Sequence, residues 1–479
     1  MPAGPSSHRA RHEPRWHRCA PMATATASRR RLRGCSNTSP TSDFPTAERM
    51  TMTDRRAAFN AQLDAAATTL ARLQQLNPML IDVSLREPCF SSYLGHTLEQ
   101  KLQILPLVDG FGFKNKIVAT FDYQDPLHEE VEDQFLAWLN QHQYDLTGAL
   151  AGSQVGKFGP EGVFVPDVSM QKVVRYGVPN TLHEIYLLPA GQPFDVVAER
   201  VRASLAWLRA NMTGDGGGAP RIYMNVVDLA DAFFKTPQLA YDMLMLLAEE
   251  NVTGLSFEDD RGTYFPFQIG AVVRAAKAVL REGQQVLFHC HAGNGMENAS
   301  AIEALLAGAD GYWGGMEKES STIGHASLGE LIANLVRAGN ANMAQYQLDQ
   351  LLPVAHAMHE INHNEPTPRT WPIAGTDAYR EMLISFRQVP DRFMDLPPEK
   401  IGGSYTYRIA PTGSDVDAIT GRVAELLGTT ISATVANKMI LLMRTDLLNG
   451  VRMSYDDTAS LRQLLHRAQT RLRMPLSEV

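Results

Sequence analysis

Cysteine is scarce in this 479-residue sequence, and its scarcity limits the classes of protein to which the chain can belong. The four cysteines are Cys19, Cys35, Cys89 and Cys290, and no two of them form a Cys-x-x-Cys pair. Four cysteines in a chain of this length are too few for a disulfide-stapled scaffold. We therefore expect a protein of the reducing cytosol, with a cytoplasmic location.

Long apolar runs and an excess of positive charge are also lacking. No segment approaches the roughly 18 uninterrupted apolar residues of a membrane span, so we expect no membrane partner. The net charge is −8 and the pI is about 6.0. Because phosphate binding needs clustered Lys and Arg, we expect no nucleic-acid partner. The hydrophobic content of 44% and the charged content of 20% are typical of a globular protein.

Residues 1–50 differ in composition from the rest of the chain. They contain nine arginines and three acidic residues, are rich in Ser, Thr, Pro and Ala, and have no apolar periodicity. Such a segment cannot bury enough surface to fold, so we predict a disordered basic extension. An arginine-rich, acid-poor start is also typical of a transit peptide. A start codon assigned too early, with Met50 or Met52 as the first residue, is the interpretation that we favour.

From about residue 79 the sequence alternates short apolar runs with longer amphipathic stretches. The eight predicted strands cover residues 79–85, 116–121, 145–150, 184–189, 221–227, 252–257, 285–289 and 311–315. Strands alternating with helices over about 260 residues predict an α/β fold, a (β/α)8 TIM barrel. A doubly wound open sheet is the alternative, but no Gly-x-Gly-x-x-Gly follows the first strand to support its dinucleotide-binding form. We assign residues 51–345 to the barrel domain.

The pattern changes after about residue 345, where we predict a mostly helical accessory region over residues 346–479. Helices are predicted at 343–359, 377–386, 415–427, 433–448 and 458–473. Three histidines, His356, His359 and His363, have the spacing of one helix face, and we expect them at the surface.

One strand carries the strongest signal for chemistry. An apolar run over 285–288 ends in His289-Cys290-His291, and a glycine-rich turn follows. Side chains two apart on a strand share a face, so both imidazoles point one way and Cys290 points the other. Two histidines on one face can converge on a divalent ion, although a pair of buried core histidines is an equal alternative.

Polar residues also gather where the other predicted strands end, which is the rim that carries active sites in TIM barrels. Arg86 and Glu87 follow the first strand, and Asp228 follows the fifth. A Glu-Asp-Asp run at 258–260 ends the sixth, and Glu317 and Glu319 follow the eighth. Together with the two histidines, these residues predict a metal site at the rim.

Several segments resemble the metal-dependent alkylmalate and homocitrate synthases, whose barrel is shared by related lyases and aldolases. Residues 82–87, Asp-Val-Ser-Leu-Arg-Glu, resemble the opening motif of that family. The other matching segments are Asp259-x-x-Gly262-x-x-x-Pro266, His289-x-His291, Gly308-Ala309-Asp310, Ala326-Ser327-Leu328 and residues 372–379. The resemblance implies that Arg86 stabilises an enolate and that Glu87, His289 and His291 bind a divalent metal.

The sequence also departs from the family pattern. His325 stands where the family has a metal-site asparagine, and the loop over 320–325 lacks the usual acid and arginine. Glu381 stands where the accessory region of the family has a histidine that assists acid–base chemistry. Because Gly324 and Ala326-Ser327-Leu328 around it still fit the pattern, we add His325 to the predicted ligands. An imidazole prefers zinc, iron or cobalt to magnesium. Among Zn, Mn, Fe and Mg we therefore favour a nitrogen-preferring ion.

The resemblance implies an acyltransferase that joins an acyl-CoA, acetyl-CoA above all, to a 2-oxo acid by Claisen condensation. Asp228, Glu317, Glu319 and Glu381 are the candidate bases, and we expect a homodimer. A metal-dependent lyase or aldolase is the alternative, although the loop over 314–325 lacks the reactive cysteine of acyl-CoA lyases. A non-catalytic paralogue that binds a metabolite is the third possibility.

Overall fold

The apolar runs after residue 79 form strands, and the amphipathic stretches between them form helices, in a computed structural model of the chain. The structure describes residues 52–88, 92–120, 126–188, 193–381 and 396–472. The predicted extension over 1–50 therefore lies outside the described residues. The chain divides into two compact units, residues 1–60 and 61–479, and the site lies in the second.

The strands and helices follow in regular alternation. The strands are β1 (Met79–Asp82), β2 (Asn115–Thr120), β3 (Ala149–Gln154), β4 (Lys157–Phe158), β5 (Phe164–Val165), β6 (Asn180–Ile185), β7 (Arg221–Val226), β8 (Gly254–Asp259), β9 (Gln285–Cys290), β10 (Gly311–Gly314), β11 (Arg380–Glu381) and β12 (Thr406–Tyr407). The α-helices are α1 (Met52–Gln75), α2 (Leu98–Phe111), α3 (Pro126–Gln141), α4 (Val168–Arg175), α5 (Phe194–Asn211), α6 (Leu229–Lys235), α7 (Pro237–Glu249), α8 (Pro266–Val279), α9 (Glu297–Ala307), α10 (Leu328–Arg337), α11 (Leu351–His363), α12 (Val416–Leu427), α13 (Ala433–Leu448) and α14 (Thr458–Leu472).

Eight of these strands close into a parallel barrel, in the order β1-β10-β9-β8-β7-β6-β3-β2. Pairing of Ile81 with Asn115 and of Met79 with Gly311 closes it on both sides of β1. The predicted TIM barrel is thus confirmed, and because all eight strands are parallel, their carboxyl ends meet at one rim.

Two predicted strands have the wrong boundaries. We predicted strands at 145–150 and 184–189, whereas β3 and β6 begin at Ala149 and Asn180. Residues 145–148 form a turn instead, since the Asp145 carboxylate accepts from the Thr147 amide and Gly148 has a φ of +80°. Strand β3 continues through Gly152, Ser153 and Gln154, which are small or polar residues and therefore do not indicate a buried strand in the sequence.

The connection from β3 to β6 is long but ordered. It contains an antiparallel hairpin of β4 and β5, followed by α4. The Asp167 side chain caps α4 by accepting from the Ser169 amide, which stabilises the start of this short helix.

The barrel interior is filled by side chains from alternate strand positions. Its buried apolar members are Ile81, Val83, Ile117, Leu150, Leu182, Tyr223, Leu287 and Trp313. The Trp313 indole donates to Ser256 Oγ at 3.0 Å, which fixes the ring across the barrel. This packed layer forms the floor beneath the rim.

The region after the barrel differs in part from the prediction. Short 3-10 turns at Ala341–Gln345 and Leu348–Gln350 precede α11, where we predicted helix from 343. The helix predicted at 377–386 is wrong at its start, because β11 pairs with β12 there. Residues 382–386, like residue 121 of the second predicted strand, lie outside the described residues.

Helices α12, α13 and α14 share an apolar cluster that runs from Ile409 to Ala468, whereas the main core extends to Ile401. None of the described helices is both long enough and apolar enough to cross a lipid bilayer.

Candidate metal centre

The turn after β1 places Arg86 and Glu87 at the rim. The amides of both residues donate to the Val83 carbonyl, at 2.8 and 2.9 Å, so the chain folds back as soon as the strand ends. Asp82 stabilises the turn by accepting from the backbone amide and hydroxyl of Ser84, each at 2.9 Å. Arg86 and Glu87 are both 4% exposed, and the guanidinium donates to the Glu87 carboxylate.

His289 and His291 lie on the inner face of β9 and its extension, as predicted. Their Nε2 atoms are 3.2 Å apart. His289 Nδ1 donates to the Trp313 carbonyl at 2.7 Å, and its ring stacks on the Trp313 indole with centroids 3.7 Å apart. Because a carbonyl only accepts, this contact puts the proton on Nδ1 and leaves the Nε2 lone pair of His289 facing the site.

Both imidazoles are held neutral. Burial lowers the pKa of His289 well below its ordinary value, and burial, aided by the nearby His325, lowers the pKa of His291 to about 3. A neutral imidazole is the form that binds metal.

Cys290 points away from the site, as the alternation of strand faces predicted. Its thiol donates to the Glu297 carbonyl at 3.4 Å in the layer between barrel and helices. Burial raises the pKa of the thiol well above its ordinary value, so Cys290 is not a nucleophile here.

His325 reaches the same point from the loop after β10. An isolated backbone bridge joins it to His291, and its ring centroid is 4.7 Å from those of both His289 and His291. Its Nε2 is buried without a hydrogen-bond partner among the described residues and lies 3.7 Å from Glu87 Oε1. The Gly315 amide donates to Nδ1 over a long 3.4 Å, so metal binding through Nε2 would require the loss of that weak bond.

Glu87 is held as a carboxylate. Burial raises its pKa, but the adjacent Arg86 guanidinium acts against burial, and the pKa lies well below the ordinary value. The site therefore combines one carboxylate with the neutral imidazoles of His289 and His291 and with the His325 ring, a donor set that suits a zinc-like divalent ion.

The geometry also fits an ion. The ligand nitrogens of His289, His291 and His325 all lie within 4.8 Å of one another. Ligands about 2.1 Å from an ion are about 3.0–3.4 Å apart in octahedral or tetrahedral arrangements, which the 3.2 Å between the His289 and His291 nitrogens matches. The Nε2 atom of His325 is buried and lacks a hydrogen-bond partner in the described chain. An ion bound there would satisfy it, so it is a further ligand atom of the site.

Acids on β6 and β8 complete the rim. The sequence placed residues 258–260 at the rim but gave no signal for Glu184. The Asn225 amide donates to Glu184 at 3.2 Å and to Glu258 at 2.6 Å. Glu184 lies 3.8 Å from Arg86, and burial raises the pKa of Glu258 to about 8. Glu258, Asp260 and His291 lie close enough together to share one ion or a proton. Glu184 shares the inner face with Leu182, and a predicted strand with the bounds of β6 would have placed it at the carboxyl end, where rim residues lie.

Three of the four predicted bases lie away from the rim histidines or outside the described side chains. Both carboxylate oxygens of Asp228 accept backbone amides, those of Leu187 and Leu188, at 2.8 Å each. Glu317 lies with His359 and His363 rather than with the histidines of β9. The side chain of Glu381 lies outside the described part of the structure.

A cavity of about 680 Å³ opens beside the rim. Its lining includes Tyr186, Asp228, Glu258, Asp260, Arg261 and Tyr264. It therefore extends from the acids near His291 along the loops that follow β7 and β8, and offers room for a substrate larger than a 2-oxo acid alone.

Comparisons with known proteins add similarities of structure. No family model matches the sequence, and no curated protein matches it. An HMG-CoA lyase from Bacillus subtilis is 15% identical with a TM-score of 0.48, covering 61% of this chain and 96% of that chain. An HMG-CoA lyase from Pseudomonas aeruginosa is 11% identical with a TM-score of 0.48, covering 60% and 94%.

The carboxyl transferase domain of Rhizobium etli pyruvate carboxylase, solved with pyruvate, is 13% identical with a TM-score of 0.47, covering 81% of this chain and 64% of that chain. These values are low, and the fold and the site are assigned from the strands and side chains of this chain.

Proposed function

We propose that this protein is a metal-dependent enzyme that makes or breaks a carbon–carbon bond next to the carbonyl of a 2-oxo acid. Condensation with an acyl-CoA is the reaction that we favour. The observation that carries the proposal is the pair of neutral imidazoles with nitrogens 3.2 Å apart, beside the buried Arg86–Glu87 pair. Positive charge and metal ligands thus meet at one point of the rim.

Glu87, His289 and His291 would hold the ion, with His325 as a fourth ligand. A bound divalent ion would supply Lewis acidity to the keto oxygen of a 2-oxo acid. His289 would contribute a pre-set lone pair, because the Trp313 carbonyl already fixes its tautomer. The imidazole ring therefore need not change its tautomer or orientation when the ion binds.

Arg86 would stabilise negative charge that develops on the reacting oxygen. Glu87 and Glu184 hold the guanidinium in place, and its centre lies 5.8 Å from the Trp313 ring. A positive group fixed before the reaction begins stabilises an enolate or alkoxide without a reorganisation cost.

Glu258 is our candidate for proton transfer, in place of Asp228. It faces the cavity, lies beside Asp260 and His291, and is oriented by the Asn225 amide. Burial raises the pKa of Glu258, whereas the pKa of Glu87 is lowered. The two carboxyls therefore differ in how readily they hold a proton, which is typical of an acid–base site.

The test is a reaction of the full-length, metal-loaded protein with acetyl-CoA and a panel of 2-oxo acids. We expect free thiol to appear only when both substrates are present. Since water cleaves the thioester and CoA leaves as the thiol, the product should have the mass of the 2-oxo acid plus acetic acid. His291→Ala should abolish the reaction, and Cys290→Ala should serve as the matched control. Cleavage of a hydroxy acid without CoA would establish the aldolase alternative, and turnover undiminished in His291→Ala would overturn the proposal.

A further inference from the structure

We propose that Glu317, His359 and His363 form a second divalent-metal site, separate from the rim histidines and best suited to zinc. The two histidines are one turn apart on α11, so their rings share a helix face, with centroids 4.5 Å apart. Glu317 approaches that face from the loop after β10. His359 Nδ1 lies 3.5 Å from Glu317 Oε2, and His363 Nε2 lies 3.7 Å from Glu317 Oε1.

Burial makes one atom of the cluster, His359 Nδ1, costly to leave without a partner. Glu317 is 1% exposed and His359 is 2% exposed. Although the distance from His359 Nδ1 to Glu317 is short, their geometry is not that of a hydrogen bond, and Nδ1 has no such partner among the residues that the structure describes. A buried polar atom without a partner loses the hydrogen bonds of water and gains none, and a metal ion would satisfy it.

The distances are close to those of a tetrahedral site. Ligand atoms about 2.1 Å from a tetrahedral ion are about 3.4 Å apart. The ligand atoms of the three residues all lie within 4.8 Å of one another. His363 Nε2 donates to the Glu319 carbonyl at 3.2 Å. Side-chain shifts of a few tenths of an ångström to about 1 Å, with loss of that hydrogen bond, would therefore bring all three residues into contact with one ion. Two imidazoles and one carboxylate are a common zinc ligand set with an open fourth position.

Hydrogen bonds behind the carboxylate already orient it. Glu317 Oε1 accepts from the Asn362 amide at 3.0 Å, and Oε2 accepts from the Glu319 amide at 2.6 Å. The Asn362 carbonyl oxygen in turn contacts His96 Nε2 at 2.8 Å, and this contact fixes the way the amide faces. Such an outer layer is typical of metal-binding carboxylates.

The site would fasten the loop after β10 to the end of α11. That same loop carries His325 to the rim. The second ion would thus have a structural role, since neither His359 nor His363 lines the cavity beside the rim.

The test is a metal count on full-length protein that has been stripped with a chelator, reloaded with zinc and freed of unbound ion. We expect two ions per chain in the wild type and one in His359→Gln and in His363→Gln. His363 is the safer position, because its side chain is 14% exposed. His356→Gln is the matched control, since His356 lies on the same helix but contacts the Ala374 carbonyl, and it should keep two ions.

His291→Ala separates this site from the proposed active site. The His291→Ala variant should keep one ion, and the double variant His291→Ala/His363→Gln should bind none. Zinc should also raise the melting temperature of His291→Ala, because an ion that binds only the folded state stabilises it. An unchanged metal count in both His359→Gln and His363→Gln would overturn the second site and leave a buried ion pair as the account of the cluster. If the wild type binds a single ion, and His363→Gln loses that ion while His291→Ala keeps it, the second site is supported and the rim metal site is contradicted.

Discussion

One backbone carbonyl, that of Trp313, determines which nitrogen of His289 can bind a metal ion. A buried histidine could present either nitrogen to a ligand, but Nδ1–H donates a hydrogen bond to the Trp313 carbonyl, which leaves the lone pair of Nε2 for the ligand. The sequence alone predicted that His289 and His291 share a face, because strand alternation depends on position only. It could not predict the tautomer, since Trp313 lies 24 residues away and on another strand.

The residue-scale failures have a related cause. We expected His359 and His363 at the surface, yet His359 is buried against Glu317. The helical spacing of the histidines was correct, but the loop that covers them comes from a distant part of the chain. Burial of this kind depends on tertiary packing, which a local pattern does not contain.

Arg86→Lys should retain the fold and lose activity. A guanidinium holds two carboxylates and still presents a planar charge, whereas an ammonium is a point charge. We expect turnover to fall by about two to three orders of magnitude, as for loss of one oxyanion stabiliser. Arg200→Lys, at a partly buried arginine that donates to the Gly156 carbonyl, is the control. Near-normal turnover of Arg86→Lys with an unchanged melting curve would remove Arg86 from the reaction.

His325→Asn should change the metal preference of the rim site. An amide oxygen is a harder ligand than an imidazole nitrogen, so the preference should shift from zinc or iron towards magnesium or manganese. Metal competition followed by elemental analysis would measure the shift, with the exposed His142→Asn as control. The same preference in His325→Asn and the wild type would show that His325 does not bind the ion.

At the scale of elements, the helices and most strands were predictable because their periodicities are strong. The third and fourth barrel strands were misplaced by about four residues, since β3 ends in small and polar residues. Because the fourth strand was predicted to begin at Glu184, that residue fell at the wrong end of the strand, whereas β6 ends at Ile185 and brings Glu184 to the rim beside Arg86. The carboxyl ends of the strands are the ends that form the rim.

A buried ion pair supports the turn that carries the rim residues. Lys101 on α2 and Glu132 on α3 are both fully buried, with Nζ and Oε1 2.6 Å apart. The Lys101 ammonium also donates to the Leu85 carbonyl, one residue before Arg86. Helix packing and the geometry of the site are therefore linked.

Lys101→Met should lower the free energy of unfolding by about 3–5 kcal/mol, because it leaves a buried carboxylate without its cation. Lys101→Met/Glu132→Leu should recover most of that loss, since the charge left behind is then removed. Urea denaturation of the two variants would measure both effects. A double variant no more stable than the single one would show that packing, rather than the unpaired charge, causes the loss.

At the scale of the whole molecule, the alternation of strands and helices predicted the barrel, and closure of the eight strands confirms it. Closure explains why residues as distant in sequence as Glu87, Glu258 and His289 meet, because every parallel strand ends at the same rim. The order of the residues around that rim follows from the strand order. Their roles depend on hydrogen bonds between neighbouring strands, such as those of Asn225, which no single segment encodes.

The central claim is that the rim histidines hold a divalent ion. Diffraction from crystals grown with zinc, collected at the zinc absorption edge, would locate the ion by its anomalous signal. We predict a strong peak about 2.1 Å from Nε2 of both His289 and His291 and within ligand distance of the Glu87 carboxylate. The peak should vanish in His291→Ala and persist in Cys290→Ala. A map with no peak between His289 and His291, from zinc-containing crystals in which both rings are ordered, would contradict the account.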